Sequence, residues 1–374
     1  MNDSNGYKRR GGETHYDYPR AEDYSEVQGI VARKRANAEA DIILRNESWR
    51  EPDPGWSLEA ARADPPSPVR QVINRLLPEG ISMLAAQFKA GKTTFGIDMA
   101  SCLISGEDFL NYFEVDRIAG NVGYWNMEVD ESQMFEWQDR RVKTGAGRFY
   151  TAHLRGRRMD LLHDLTAEWA VNWLKNRDVD VWFLDPMGRM LDEENSSAVF
   201  NKWFQRLEAI ATEARIRACL IIHHSGHAGA GMDDMIPRAR GASAMMGNTD
   251  CNLTYRHAGA LGEMPPDSRR YLSAFGRGIE LWPELTLEYD YGNGSLYTVE
   301  GAPGRKGDRL ERGIEQIIAA IQEAGDAELN NSDLREYMIG TASDKSAAIK
   351  AALRSGRIKT EKKPGSNALF YSLT

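Results

Sequence analysis

Residues 81–104, ISMLAAQFKAGKTTFGIDMASCLI, constrain the fold more than any other stretch of this chain. An apolar run short enough for a buried strand, 81–86, enters the loop Gln87-Phe88-Lys89-Ala90-Gly91-Lys92-Thr93-Thr94 and leaves it in residues with helical apolar spacing. Strand, loop and helix in that order make a phosphate cradle. Backbone N–H groups and the helix N-terminus surround phosphate oxygens, a lysine reaches the β and γ oxygens, and the next hydroxyl ligates Mg²⁺. Lys92 and Thr93 take the last two roles, and residues 87–94 are the candidate ATP contacts. Ala86 stands where the G-x-x-x-x-G-K-[ST] pattern has its first glycine. Alanine adds only a methyl group and Gly91-Lys92-Thr93 is intact, so the assignment holds while the turn geometry stays open.

Two later strands end in carboxylates. The segment 121–126, NVGYWN, is followed by Met127-Glu128-Val129-Asp130-Glu131. In a parallel α/β sheet the carboxyl edge of the strands is where ligands bind, so Glu128 there can face the γ-phosphate and polarise the attacking water. Asp130 and Glu131 fit better as helix-start carboxylates favoured by the helix dipole. Residues 180–186, DVWFLDP, form an apolar strand ending in Asp185, which is suited to hold Mg²⁺ from the Thr93 side. A third apolar strand runs into His223-His224-Ser225-Gly226-His227. H-H-x-x-H is not the zinc pattern H-E-x-x-H and follows a strand, so His223 or His224 reads as a polar sensor of the γ-phosphate.

Composition narrows the rest. At 41% hydrophobic and 27% charged over 374 residues, the chain is of globular type, with a length suited to about two or three domains. No apolar run is long enough to span a membrane and the N-terminus has no signal-peptide core, so a cytoplasmic protein without membrane contacts is expected. Cys102, Cys219 and Cys251 are isolated in apolar segments and read as core filler. A net charge of −8 excludes a general basic coat, so any contact with nucleic acid must be local.

Along the chain, residues 1–24 read as a disordered tail, 25–46 as a helix with a broken apolar stripe, and 51–68 as a proline-rich connector. The helix is expected either to pack on the main domain or to dock on a neighbouring subunit. The main domain spans 69–300. Its segment 187–197 is polar and helix-poor, its glycine-rich segment 228–240 is a long loop at the ligand edge, and β-structure follows at 250–256, 271–275 and 285–289. Arg238, Arg240 and Arg277 are candidate phosphate-binding arginines, in their own subunit or across an interface. After a linker at 301–307 come three helices and a hairpin in 308–374, a pattern that suggests a winged helix. Lys345, Lys350 and Arg354 on its third helix and Lys359, Lys362 and Lys363 on its wing are candidate DNA contacts, with a protein-docking module as the alternative.

The order AAQFKAGKTT, NMEVDE, VWFLDP, LIIHHSGH, RARGASAMMG resembles the RecA-like ATPase core of the RepA and DnaB type, the hexameric replicative helicases, in the compact form carried by plasmids, phages and prophages. The resemblance covers about residues 69–300. It implies a doubly wound, mostly parallel sheet, ATP and Mg²⁺ at the subunit boundaries of a homo-oligomeric ring, and single-stranded DNA in its channel; apart from the resemblance, a filament on single strands and duplex DNA bound by the C-terminal module are further expectations. It casts Glu128 as the catalytic glutamate, Lys92 and Thr93 as phosphate and magnesium ligands, Asp185 as the Mg²⁺-side aspartate, and His223 or His224 as the sensor coupled to DNA-facing loops at 187–197 and 225–237. A finger arginine in trans is expected among Arg238, Arg240 and Arg277. An ATP-switched DNA-binding protein or recombination mediator without unwinding is the competing expectation.

Overall fold

The computed structural model describes residues 21–48, 51, 54–87, 89–191, 197–224, 242–257, 269–277, 279–280, 282–325, 329–363 and 367–374. The chain divides into two compact units, Met1–Ser67 and Pro68–Thr374.

The first unit holds α1 (Ala21–Ser48) and α2 (Leu58–Ala63). Helix α1 begins four residues before the expected boundary, inside the stretch read as a disordered tail; the rest of that tail lies outside the described residues. Its Val27, Ile30 and Ile43 are exposed. Helix α2 interrupts what the prolines suggested was a plain connector: Ser57 caps it, accepting the Ala60 N–H on Oγ, a start signal strong enough to form one short helix among prolines.

The second unit is built on a nine-stranded sheet. In chain order its elements are β1 (Gln71–Ile73), β2 (Leu77–Pro78), β3 (Gly80–Ala86), α3 (Lys92–Ser105), β4 (Asn121–Asn126), α4 (Glu131–Arg141), β5 (Phe149–His153), α5 (Asp164–Lys175), β6 (Val179–Asp185), α6 (Ser197–Ala214), β7 (Ala218–His224), α7 (Ala242–Asn248), β8 (Cys251–His257), β9 (Arg270–Gly276), β10 (Leu285–Asp290) and β11 (Ser295–Thr298). The sheet order is β11-β10-β9-β8-β3-β7-β6-β4-β5, while β1 and β2 pair separately. The six strands from β8 to β5 are parallel and β9, β10 and β11 are antiparallel to their neighbours. Strand β3 lies at the centre between β7 and β8, the parallel arrangement that places a ligand site at its carboxyl end.

Alternation along the strands sorts side chains onto two faces. Leu84, Ala86, Tyr124, Phe183, Ile222 and Tyr255 face α3, whereas Met83, Trp125, Trp182, Leu184 and Ile221 pack against α5 and α6. All three cysteines are buried and free, as their apolar settings indicated. No described helix is long and apolar enough to cross a membrane.

Beyond the sheet lie α8 (Arg305–Ala324), β12 (Leu329–Asn330), α9 (Asn331–Tyr337), α10 (Ala342–Arg354), β13 (Ile358–Lys362) and β14 (Leu369–Leu373), with strand order β12-β14-β13. Ile314, Ile317 and Ile321 of α8 meet Leu334, Ile349 and Tyr371 in a core of their own. Asn330 and Thr341 start α9 and α10 with reciprocal caps to Asp333 and Asp344. The stretch 301–307 is no free linker. Helix α8 already starts at Arg305, whose N–H bonds Glu284, and Thr286 Oγ1 donates to the Pro303 carbonyl.

Candidate functional site

The site forms where the loop after β3 meets the ends of β4, β6 and β7. Ala86 is fully buried in extended backbone, paired with His224 on one side and Tyr255 on the other. No left-handed turn is needed there, and this explains why alanine replaces the expected glycine. The positive φ values fall later, at Lys89 (58°) and Gly91 (90°). Gly91 is the N-cap of α3, and a Cβ on it would sit 3.0 Å from Thr94 Oγ1, so this position requires glycine. Gln87 donates its N–H to the Tyr255 carbonyl and accepts the Ala90 N–H, which closes the loop, while Thr94 Oγ1 donates back to the Gly91 carbonyl. Phe88 lies outside the described residues.

Lys92 and Thr93 open α3 and are both buried. Lys92 Nζ donates to Glu128 Oε2 at 2.8 Å, and Thr93 Oγ1 donates to Asp185 Oδ2 at 2.7 Å. Glu128 is held at the end of β4 by an Asx turn in which Asn126 Oδ1 accepts the Glu128 and Val129 N–H groups. His224 Nε2 lies 3.4 Å from the same Glu128 oxygen. The hydrogen bond from His224, with that from Lys92 and its charge, outweighs the cost of burial and holds Glu128 down at about 2. Asp130 instead caps α4 through the Ser132 N–H, the helix-start role expected of it.

Asp185 is fully buried, and that burial pushes its carboxyl above the usual range against the pull of Lys92 and of hydrogen bonds from Thr93 and Tyr124. Tyr124, which sequence reasoning missed, donates its hydroxyl to Asp185 Oδ2 at 2.7 Å. Its position in NVGYWN, two before Asn126 on the same face, was the available signal. Gly96 makes room for it: a Cβ there would come within 3.0 Å of the Tyr124 hydroxyl. Among the described residues, Asp185 Oδ1 has no hydrogen-bond partner and no group of three metal-binding side chains occurs. A Thr hydroxyl beside one open carboxylate oxygen suits Mg²⁺, which keeps most of its shell as water and phosphate oxygens.

The paired histidines separate by strand alternation. His224 shares the α3 face with Glu128, so it is the one the geometry joins to the site. His223 points to the other face, where burial and the neighbouring His224 push it down to about 4, and its Nδ1 has no partner among the described residues.

Other expected site residues lie elsewhere. Arg277 follows β9, whose end pairs with the start of β8, so it sits on the sheet edge away from its own phosphate loop, donating to the Gly247 carbonyl at 2.7 Å. It does not serve that loop within one subunit. Arg238 and Arg240 fall outside the described residues, as does 225–241 altogether. The segment 187–197, expected to be polar and helix-poor, begins with a 3-10 turn whose Met187, with Met190 and Leu191, is buried against the α6 side of the core; 192–196 are outside the described residues. In the C-terminal module Lys350, Arg354, Lys359, Lys362 and Lys363 are exposed, but Lys345 is half-buried and donates to the Arg335 carbonyl at 2.7 Å, joining α10 to α9.

Residues 46–230 match a sequence family described as an AAA domain. The match takes in the phosphate loop, Glu128, Asp185 and both histidines and ends ahead of β8. It supports a phosphate-loop ATPase domain. No curated protein matches the chain.

Proposed function

We propose that this chain is an ATP-dependent motor on single-stranded DNA, a ring-forming replicative helicase of a mobile element. The observation that carries the reading is the convergence of Lys92, Glu128 and His224 within hydrogen-bonding reach, beside the Thr93–Asp185 pair. ATP phosphates entering over the loop would draw Lys92 from Glu128 onto the β and γ oxygens, leaving the carboxylate to orient a water in line with the γ-phosphorus. That water's oxygen forms the new P–O bond as the bond to the ADP oxygen breaks, and the water proton leaves toward Glu128. Thr93 and Asp185 would hold Mg²⁺, which would supply positive charge against the phosphate oxygens. His224, which touches Glu128 at the end of β7, would pass the state of the γ-phosphate to the segment that follows. Completion of the site by Arg277, Arg238 or Arg240 of a neighbouring copy, and a cytoplasmic location, belong to the same proposal.

The test is strand displacement on a forked DNA with ATP, using Lys92→Ala as control. Unwinding by the wild type alone supports the motor, and ATP hydrolysis without unwinding refutes it.

The C-terminal module favours a second reading. Its three helices and three-stranded sheet have the element order of a winged helix, with Lys350, Arg354, Lys359, Lys362 and Lys363 exposed. An ATP-switched DNA-binding protein would bind duplex DNA through that module. Sequence-selective duplex binding that survives Lys92→Ala but is lost on charge reversal of Lys350 and Arg354 would favour it over the motor.

A further inference from the structure

Directly beneath the phosphate loop lies a group of buried polar side chains that the hydrolytic scheme does not use. Arg270 opens β9 opposite His257 of β8, on the α3 face of the sheet, and is buried. Its Nε donates to the Ala90 carbonyl at 3.4 Å, and its guanidinium lies 5.4 Å from the centre of the Tyr289 ring. Tyr255, its ring tilted at 46° against Phe95 of α3 with centroids 4.8 Å apart, holds its hydroxyl alongside, buried and without a hydrogen-bond partner among the described residues. A Cβ on Gly91 would lie 3.9 Å from Arg270 Nε and 4.0 Å from the Tyr255 oxygen, so the loop rests on this pair.

We propose that Arg270 is a positioning residue for nucleotide binding, fixing the Ala90–Gly91 peptide so that the Gly91 N–H faces the phosphates. The reason is geometric. In a trans peptide the carbonyl and the following N–H point in opposite directions. A donor that holds the Ala90 carbonyl down into the protein therefore turns the Gly91 N–H up, out of the loop and toward the anion. Arginine suits the place because it stays charged when buried and can lay its plane on an aromatic ring while donating at its edge. Its positive charge under the loop also adds to the field that a triphosphate meets. That field reaches His257, which burial and the adjacent Arg270 push down to about 4. The strand carrying Arg270 is anchored from its other face: Arg269 Nη1 donates to Asp308 at 3.0 Å, and Tyr271 donates its hydroxyl to the same buried carboxylate at the start of α8.

This inference rests on the ATP-binding reading of the loop, and one titration separates the two. Full-length wild type, Lys92→Ala, Arg270→Met and Arg270→Gln are each titrated with ATP and with ADP by isothermal calorimetry, after thermal unfolding has shown which variants are folded. Wild type that binds neither nucleotide would refute the ATP reading itself. Given binding by wild type, Arg270→Met is expected to raise the Kd for ATP and ADP alike by about tenfold, the loss of a charge-assisted hydrogen bond. The KM for ATP should rise with it, while kcat at saturating ATP stays within about twofold, because Glu128 and Asp185 are untouched. A folded Arg270→Met with wild-type affinity overturns the proposal. Should that variant not fold, Arg270→Gln decides: a loss of about threefold or more in the folded protein supports the role, and unchanged affinity overturns it.

Discussion

Glu128 stands between two donors, Lys92 at 2.8 Å and His224 at 3.4 Å. Glu128→Gln keeps the size and removes the charge that orients water. It should leave ATP affinity within a few-fold of wild type while lowering turnover by about 10²–10⁴, measured as phosphate release at saturating ATP. The histidines predict an acid response. His223 and His257 both titrate near 4 in the folded protein against a usual 6.5, because burial disfavours their charged forms. The unfolded chain therefore takes up protons first, and stability that is complete above about pH 6.5 declines as pH falls toward 4. His223→Gln should flatten the pH dependence of the urea midpoint in that window by about one proton. Glu128 acts in a lower window: its ionised form stabilises the fold above 4.5, and that contribution is lost as pH falls toward 2.

At the scale of elements, the site depends on how closely α3 approaches β4. Gly96 lets the helix lie against Tyr124, whose hydroxyl shares Asp185 Oδ2 with Thr93. Gly96→Ala would put a methyl group within 3.0 Å of the Tyr124 hydroxyl and 3.2 Å of Ile222 Cδ1, in a fully packed core. It should cost about 1–3 kcal/mol of stability in denaturant titrations and weaken Mg²⁺-dependent ATP binding more than Mg²⁺-free binding, since Thr93 and Asp185 would be pushed apart. Tightness here follows from the sheet register. Asn126 pairs with Asp185 and Ala86 with His224, so the ends of β4 and β6 lie level, as do those of β3 and β7, and the parallel strands deliver their polar residues to one edge.

For the whole molecule, the proposed DNA contacts must be local on a chain of net charge −8. Binding to single strands should weaken with salt at a log–log slope of about −0.7 per phosphate contact. If the C-terminal module holds duplex DNA, Lys350→Ala with Arg354→Ala should lower the duplex slope by about 0.9 per lost contact, as read from fluorescence anisotropy between low and physiological salt. That module has its own apolar core, yet Asp308 fastens it to β9 through Arg269 and Tyr271. Much of this organisation was legible in the sequence. The strands 81–86, 121–126 and 180–185 announced themselves as short apolar runs; Glu128 and Asp185 stand at the ends of the last two and Lys92 and Thr93 open the helix after the first, because parallel strands bring their carboxyl ends to one edge. Adjacent histidines carry no such signal, since two consecutive strand residues look alike until the sheet assigns each a face; only then does His224 join Glu128 while His223 turns away. Arg270, Tyr255 and Tyr124 were hidden for a related reason. Tyr124 bonds a residue 61 positions away and Arg270 one 180 positions away, and such pairings come from the order in which strands pack, a property of the folded chain that no local pattern of residue types records.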